Sequence, residues 1–185
     1  MIVSAGTATA GLAAVVAGYV MYALEVSMSE IQKLAYFLQV AGEHLGLTFE
    51  KQRYGPCAAG LPGLVGRLDG VVDGREASDV PADSMAPVAL LRSPVSPVAS
   101  VETGSRVARV LALADGFESA YGMELLAAVN WAAATCVETA ADAASIADVI
   151  GGPTSNRHLF TPTHVRVAWR RLDHGGWLLA SGPDR

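Results

Sequence analysis

The sequence predicts a mainly α-helical, α+β domain: a compact bundle of about six helices with a few short strands. Three observations carry this. Apolar residues recur at three- and four-residue intervals through most of the chain. Helix starts and stops are marked by Ser27-x-x-Glu30, Thr161-Pro162 and the glycine pairs at 151–152 and 175–176. The β-favouring runs are few and short. The 185 residues suit a single domain, 1–185. Apolar residues make up 51% and charged residues 17%, with a mean hydropathy of +0.34, so a sizeable core is affordable and a disordered tail is excluded.

The first helix is expected over about Thr9 to Leu24. Met1 to Leu24 contains no charged residue, which formally satisfies the length test for a membrane span. Its Ala, Gly and Thr content and the lack of flanking Lys or Arg argue instead for a helix packed on both sides inside a protein. Ser27 to Glu30 then reads as a capping box opening a second helix. In it Ile31, Leu34, Ala35, Leu38 and Leu45 share one face, Gln32, Lys33 and Gln39 the other, and Gly46 supplies a left-handed stop. Leu47 to Lys51 alternates as a short strand ending at a Tyr54-Gly55-Pro56 turn. Ala58 to Leu68 keeps helical spacing but carries Gly60, Pro62, Gly63 and Gly66, so a short, weakened helix is expected.

Residues 69–100 are rich in Gly, Pro, Asp and Ser and read as a long loop with one β-like run at Val88 to Leu91. A helix is expected from Ser105 to near Glu118, a break at Tyr121-Gly122, and further helices over Met123 to Cys136 and Ala140 to Ile150. Thr161 caps a last helix with Pro162 at its first position; Val165, Ala168, Trp169 and Leu172 form its buried stripe, and Gly175-Gly176 ends it. A closing strand at Trp177 to Leu179 would make that end winged-helix-like.

The net charge of −5 and pI near 5.3 argue against general affinity for nucleic-acid phosphates. Between Arg109 and Arg157 lie Asp115, Glu118, Glu124, Glu138, Asp142 and Asp148 without a single Lys or Arg, so this stretch either forms an ordinary solvated acidic face or presents negative potential to a partner. Cys57 and Cys136 stand far apart and suit the reduced thiols of a cytoplasm, the expected location. His44, His158, His164 and His174 show no metal-ligand spacing, no G-x-S-x-G elbow occurs, and G-x-x-G-x-x-G is not the dinucleotide fingerprint. Carboxylate pairs such as Glu118 and Glu124 occur on any acidic helix. No catalytic residue, metal or cofactor is expected.

Several segments, taken together and in order, resemble a known family. These are Glu30-Ile31-Gln32-Lys33-Leu34-Ala35-Tyr36-Phe37-Leu38-Gln39, Ala41-Gly42-Glu43, Tyr54-Gly55-Pro56, Gly116 through Ala127, Asn130-Trp131, Phe160 through Leu172, and Gly176-Trp177-Leu178. Over roughly residues 10–179 the chain is similar to the C-terminal, toxin-binding part of DarG-type antitoxins, and more loosely to SocA-like or Panacea antitoxin domains. It differs in having Asn130 where His before the Trp is commoner, and a Gly- and Pro-interrupted segment after Cys57.

The resemblance implies a non-catalytic protein that binds and occludes a DarT-like DNA ADP-ribosyltransferase toxin. It carries none of the family's macrodomain signatures, so the family's hydrolase activity is not expected here. The acidic stretch from Asp115 to Asp148 would suit a partner whose groove binds DNA, by presenting carboxylates where phosphates would lie. The residues expected to meet the partner are Tyr36, Tyr54, Gly55, Pro56, Glu118, Tyr121, Glu124, Trp131, Arg166 and Trp169. For Tyr36, Trp131 and Trp169 the competing explanation is core packing. The alternative function is a winged-helix-like nucleic-acid-binding regulator using Arg157, Arg166, Arg170 and Arg171, though a basic helix end complementing its own dipole is the stronger explanation of those arginines.

Overall fold

A computed structural model describes residues 5–23, 25–52, 55–68, 84, 100–136, 142–150 and 160–178. Among them are seven helices, α1 (Ala5–Val20), α2 (Met28–Val40), α3 (Leu61–Val65), α4 (Val101–Ala114), α5 (Ala120–Thr135), α6 (Ala143–Ile150) and α7 (Pro162–His174). One two-stranded antiparallel sheet, β1 (Glu50–Gln52) and β2 (Gly55–Cys57), pairs Glu50 with Cys57 and Gln52 with Gly55. The mainly helical α+β class holds. The 69–100 loop, its Val88 to Leu91 run, Tyr54 and Arg157 lie outside the described residues, except for Ser84 and Ser100.

α2 and α5 form the centre. α1 packs on α2 and α4, the hairpin rests on α2 and α5, and α6 and α7 close the far side of α5. Fully buried Leu12, Val15, Val16, Ile31, Leu34, Phe37, Met123, Leu126, Ala168 and Leu172 belong to one continuous core.

α1 is apolar all round because both its sides are covered. Gly11 lies against Thr103, and at Gly18 a Cβ would come within 2.5 Å of Leu111 Cδ1, so glycine lets α1 and α4 approach closely. No described helix is long and apolar enough to cross a membrane.

Several starts and stops stand where the sequence places them. Ser27 and Glu30 complete a reciprocal capping box, Thr161 caps α7 with Pro162 in the first turn, and Gly176, at φ +65°, ends it while Trp177 N–H bonds Leu172 O at 2.8 Å.

Others differ. α2 stops at Val40, with Gly42 at φ +98°, because the turn is made there; Gly46, though also left-handed at φ +68°, lies beyond the helix. α4 begins four residues early, capped by Ser100, and ends at Ala114 rather than near Glu118, with Gly116 at φ +79°. Tyr121-Gly122 is not a break but the first turn of α5, capped by Ser119. A Cβ at Gly122 would meet Phe117 O at 2.5 Å, so the glycine serves a close backbone approach inside a helix. Gly55-Pro56 is not a turn but part of β2. Trp177 and Leu178 belong to no strand, so no wing follows α7 among the described residues.

Candidate partner-binding groove

The decisive element is α2, whose supposed polar face is buried. Gln32 and Lys33 are 0% and 1% exposed. Their polar atoms are satisfied by distant segments. Gln32 donates to Ala58 O at 3.0 Å and accepts from Ala58 N–H at 2.9 Å. Lys33 Nζ donates to Pro56 O at 3.3 Å. One turn on, Tyr36 OH donates to Asn130 Oδ1 at 2.7 Å, and Asn130 Nδ2 holds Trp177 O at 3.0 Å. Gln39 grips the backbone of Leu47 in both directions, at 2.9 and 3.2 Å. α2 thus carries a polar stripe that fixes the hairpin, α5, the loop after α2 and the segment after α7. Among the described residues every buried side-chain nitrogen and oxygen has a partner.

An ionic cluster lies at the start of α2. Glu30 receives Tyr19 OH at 2.9 Å and the Ser27 N–H and hydroxyl at 2.8 and 2.7 Å. Glu124, 4% exposed, accepts from Ser29 Oγ at 3.1 Å. Burial pushes the Glu124 carboxyl above its ordinary range; the Ser29 bond and the Lys33 charge oppose this, and Glu30 adds to it. Burial also holds the Tyr19 and Tyr36 hydroxyls protonated far above neutrality. Gly55, at φ +88°, fits over α5, where a Cβ would be 3.7 Å from Lys33 Cε and 3.9 Å from Glu124 O.

These contacts separate the residues predicted to meet a partner. Tyr36, Pro56 and Glu124 are buried and Gly55 half-buried, all tied to the α2 framework. Glu124 therefore adds nothing to an outward acidic face; Asp115, Asp142 and Asp148 are exposed and Glu118 half-buried. Tyr121 is 37% exposed, with its hydroxyl on His164 Nδ1 and its ring 5.4 Å from Phe160. Arg166 is exposed on α7 and Trp169 half-buried. Of the arginines considered for nucleic acid, Arg166 and Arg170 are exposed, whereas Arg171 donates to the carbonyls of Ala112 and Asp115.

A concavity of about 1040 Å³ lies between the end of α2, the loop after it, the end of α5 and the segment after α7. A row of rings crosses it: Phe49, Tyr36 and Trp131, with centroids 5.4 and 6.0 Å apart. Trp177 also lines it, edge-on to Phe37 at 5.4 Å. Arg109 stands at the mouth, its guanidinium 4.2 Å above the Trp177 ring and bonded to the carbonyls of Gly175 and Gly176. Of the residues lining the groove, Tyr36 and Trp131 are among those the sequence singles out. Arg109 and Phe49 also line it and are not singled out by the sequence, since each looks like an ordinary residue of a helix or strand until the fold brings them together.

Among the described residues no group of three or more His, Cys, Asp or Glu is placed to hold a metal ion. The described residues are mainly helical, and the motifs at Tyr36, Asn130-Trp131 and Trp177 meet in one buried framework and the groove beside it. The chain is a homologue of part of the DarG family of DNA ADP-ribosyl glycohydrolases. It is 34% identical over 141 residues to the DNA ADP-ribosyl glycohydrolase of Thermus aquaticus, a match covering 75% of this chain and 39% of that protein. Against the proteins of the same name from Mycobacterium bovis and Mycobacterium tuberculosis it is 29% identical over 157 residues, 80% of this chain and 44% of each. The chain spans about two fifths of the length of these curated relatives. No protein-family model matches it.

Proposed function

We propose that this chain is an antitoxin-type domain that binds a DarT-like DNA ADP-ribosyltransferase toxin and blocks it by occlusion rather than by chemistry. The observation that carries this reading is the homology to DNA ADP-ribosyl glycohydrolases, in a chain whose described residues form helices and one two-stranded sheet. A macrodomain would need a many-stranded sheet, so the similarity is taken to lie in the non-hydrolytic part of those relatives. The buried carboxylates, Glu30 and Glu124, are held by Ser27, Tyr19 and Ser29 and are withdrawn from solvent, an arrangement suited to structure rather than turnover. Exposed Asp115, Asp142 and Asp148, with Glu118, would supply the negative potential facing a DNA-binding toxin. Action on such a toxin places the protein in the cytoplasm.

The nucleic-acid regulator is the weaker alternative, because the arginines of α7 have no wing beside them among the described residues and Arg171 is occupied. The test is co-expression with a DarT-type toxin from the same genome. Restored growth and co-purification are expected; persistent toxicity with no complex refutes the proposal. Duplex DNA binding that falls steeply with salt would support the regulator instead.

A further inference from the structure

We infer that the groove between α2, α5 and the segment after α7 receives a protruding segment of the protein partner, one carrying an aromatic or large apolar side chain next to a carboxylate. This rests on the proposed protein-binding function and names the chemistry of one contact. The groove is too well satisfied for a small polar ligand. Asn130 is spent on Tyr36 and Trp177, Gln39 on Leu47, and Glu43 on Thr103 and Arg106, the last at 2.9 Å. A small-molecule site needs several convergent polar groups of its own. What remains open is ring surface, from half-buried Phe49 and Trp131, in a concavity of about 1040 Å³. Such a surface takes an apolar anchor.

Charge defines the neighbour of that anchor. Glu43, the acidic residue among those lining the groove, is neutralised by Arg106. The rim is left with exposed Arg109 and exposed His44. Arg109 uses Nη2 for the two glycine carbonyls, and its other guanidinium N–H groups have no partner among the described residues. Held over Trp177, the guanidinium is positioned in advance to donate to a carboxylate beside the seated ring. Four of the segments that carry the resemblance meet here, at Tyr36 and Gln39, Glu43, Trp131 and Trp177.

The experiment measures affinity for a catalytically inactivated DarT-type toxin, using the full chain and three variants. Ala134→Glu fills the groove wall with a charge, Arg109→Glu reverses the rim, and Arg67→Glu reverses an exposed arginine outside the groove. Ala134→Glu and Arg109→Glu are each expected to weaken binding by more than about tenfold, with Arg67→Glu near wild type and all unfolding temperatures preserved for the comparison. Arg109→Gln, which keeps donors, covers the case in which the reversed charge unfolds the chain; it is expected to bind several-fold more weakly. Wild-type-like binding by the groove variants, or equal weakening by Arg67→Glu, overturns the inference while leaving the antitoxin reading intact. Absence of binding by the wild-type chain overturns both. Free ADP-ribose is the small-molecule probe: saturable tryptophan quenching that Ala134→Glu abolishes would assign the groove to a nucleotide instead, and no quenching is expected.

Discussion

At the scale of single residues, polar side chains inside the core explain more than the apolar ones. Tyr36 has a hydroxyl bonded to Asn130, whose amide in turn holds the backbone after α7. Tyr36→Phe leaves the Asn130 oxygen without its donor, so a loss of about 1–3 kcal/mol in unfolding free energy is expected from denaturant melts, with little change in secondary structure. A loss below a few tenths would show that water replaces the hydroxyl. Glu124 predicts a pH effect with a definite sign. Its carboxyl is raised above the ordinary 4.5 by burial, so the folded state binds more protons than the unfolded state above that pH. Stability therefore falls as pH rises from about 4.5 through the raised value, and is recovered on acidification. Glu124→Gln should flatten this part of the pH profile of thermal unfolding; an unchanged slope would assign it to another group.

At the scale of elements, legibility tracks locality. The capping box at Ser27, the Thr161-Pro162 start and the Gly176 stop were readable because each is built from residues a few positions apart. Ser27→Ala is expected to cost about 1 kcal/mol by removing both its bond to Glu30 N–H and its hydroxyl contact with the carboxylate. The burial of Gln32 and Lys33 was not readable, since their partners at Ala58 and Pro56 lie more than twenty residues away. A helical wheel assigns such residues to solvent. Gly122 misled for a related reason: the sequence shows a helix breaker, while the cause is the nearby Phe117 carbonyl. Glycine in α1 makes a matching prediction. Gly18→Val should lower stability by about 1–3 kcal/mol through its clash with Leu111, and adding Leu111→Ala should recover part of it. Additive losses would mean the two helices do not press together there.

At the scale of the whole molecule, the fold class was legible from periodicity, and the family from motifs in order. The groove was not, because Phe49, Tyr36, Arg109, Trp131 and Trp177 come from five separate stretches of chain. Which carboxylates of the acidic stretch reach solvent was only partly legible: charge counting cannot tell exposed Asp142 from buried Glu124. Asp142 in fact serves α6, accepting Ser145 N–H at 2.8 Å and Ala144 N–H at 3.0 Å, bonds that hold its carboxyl below the usual range. What the described residues offer is a helical body in which every buried side-chain nitrogen and oxygen has a partner, so the proposed recognition would fall to the outer surface.

The most direct measurement is a titration of purified chain into a reaction in which a DarT-type toxin transfers ADP-ribose to DNA. Inhibition that reaches completion near one chain per toxin, with ADP-ribose already on DNA left in place, is the predicted result. Undiminished transfer at large excess, or release of the ADP-ribose by the chain alone, would contradict the account.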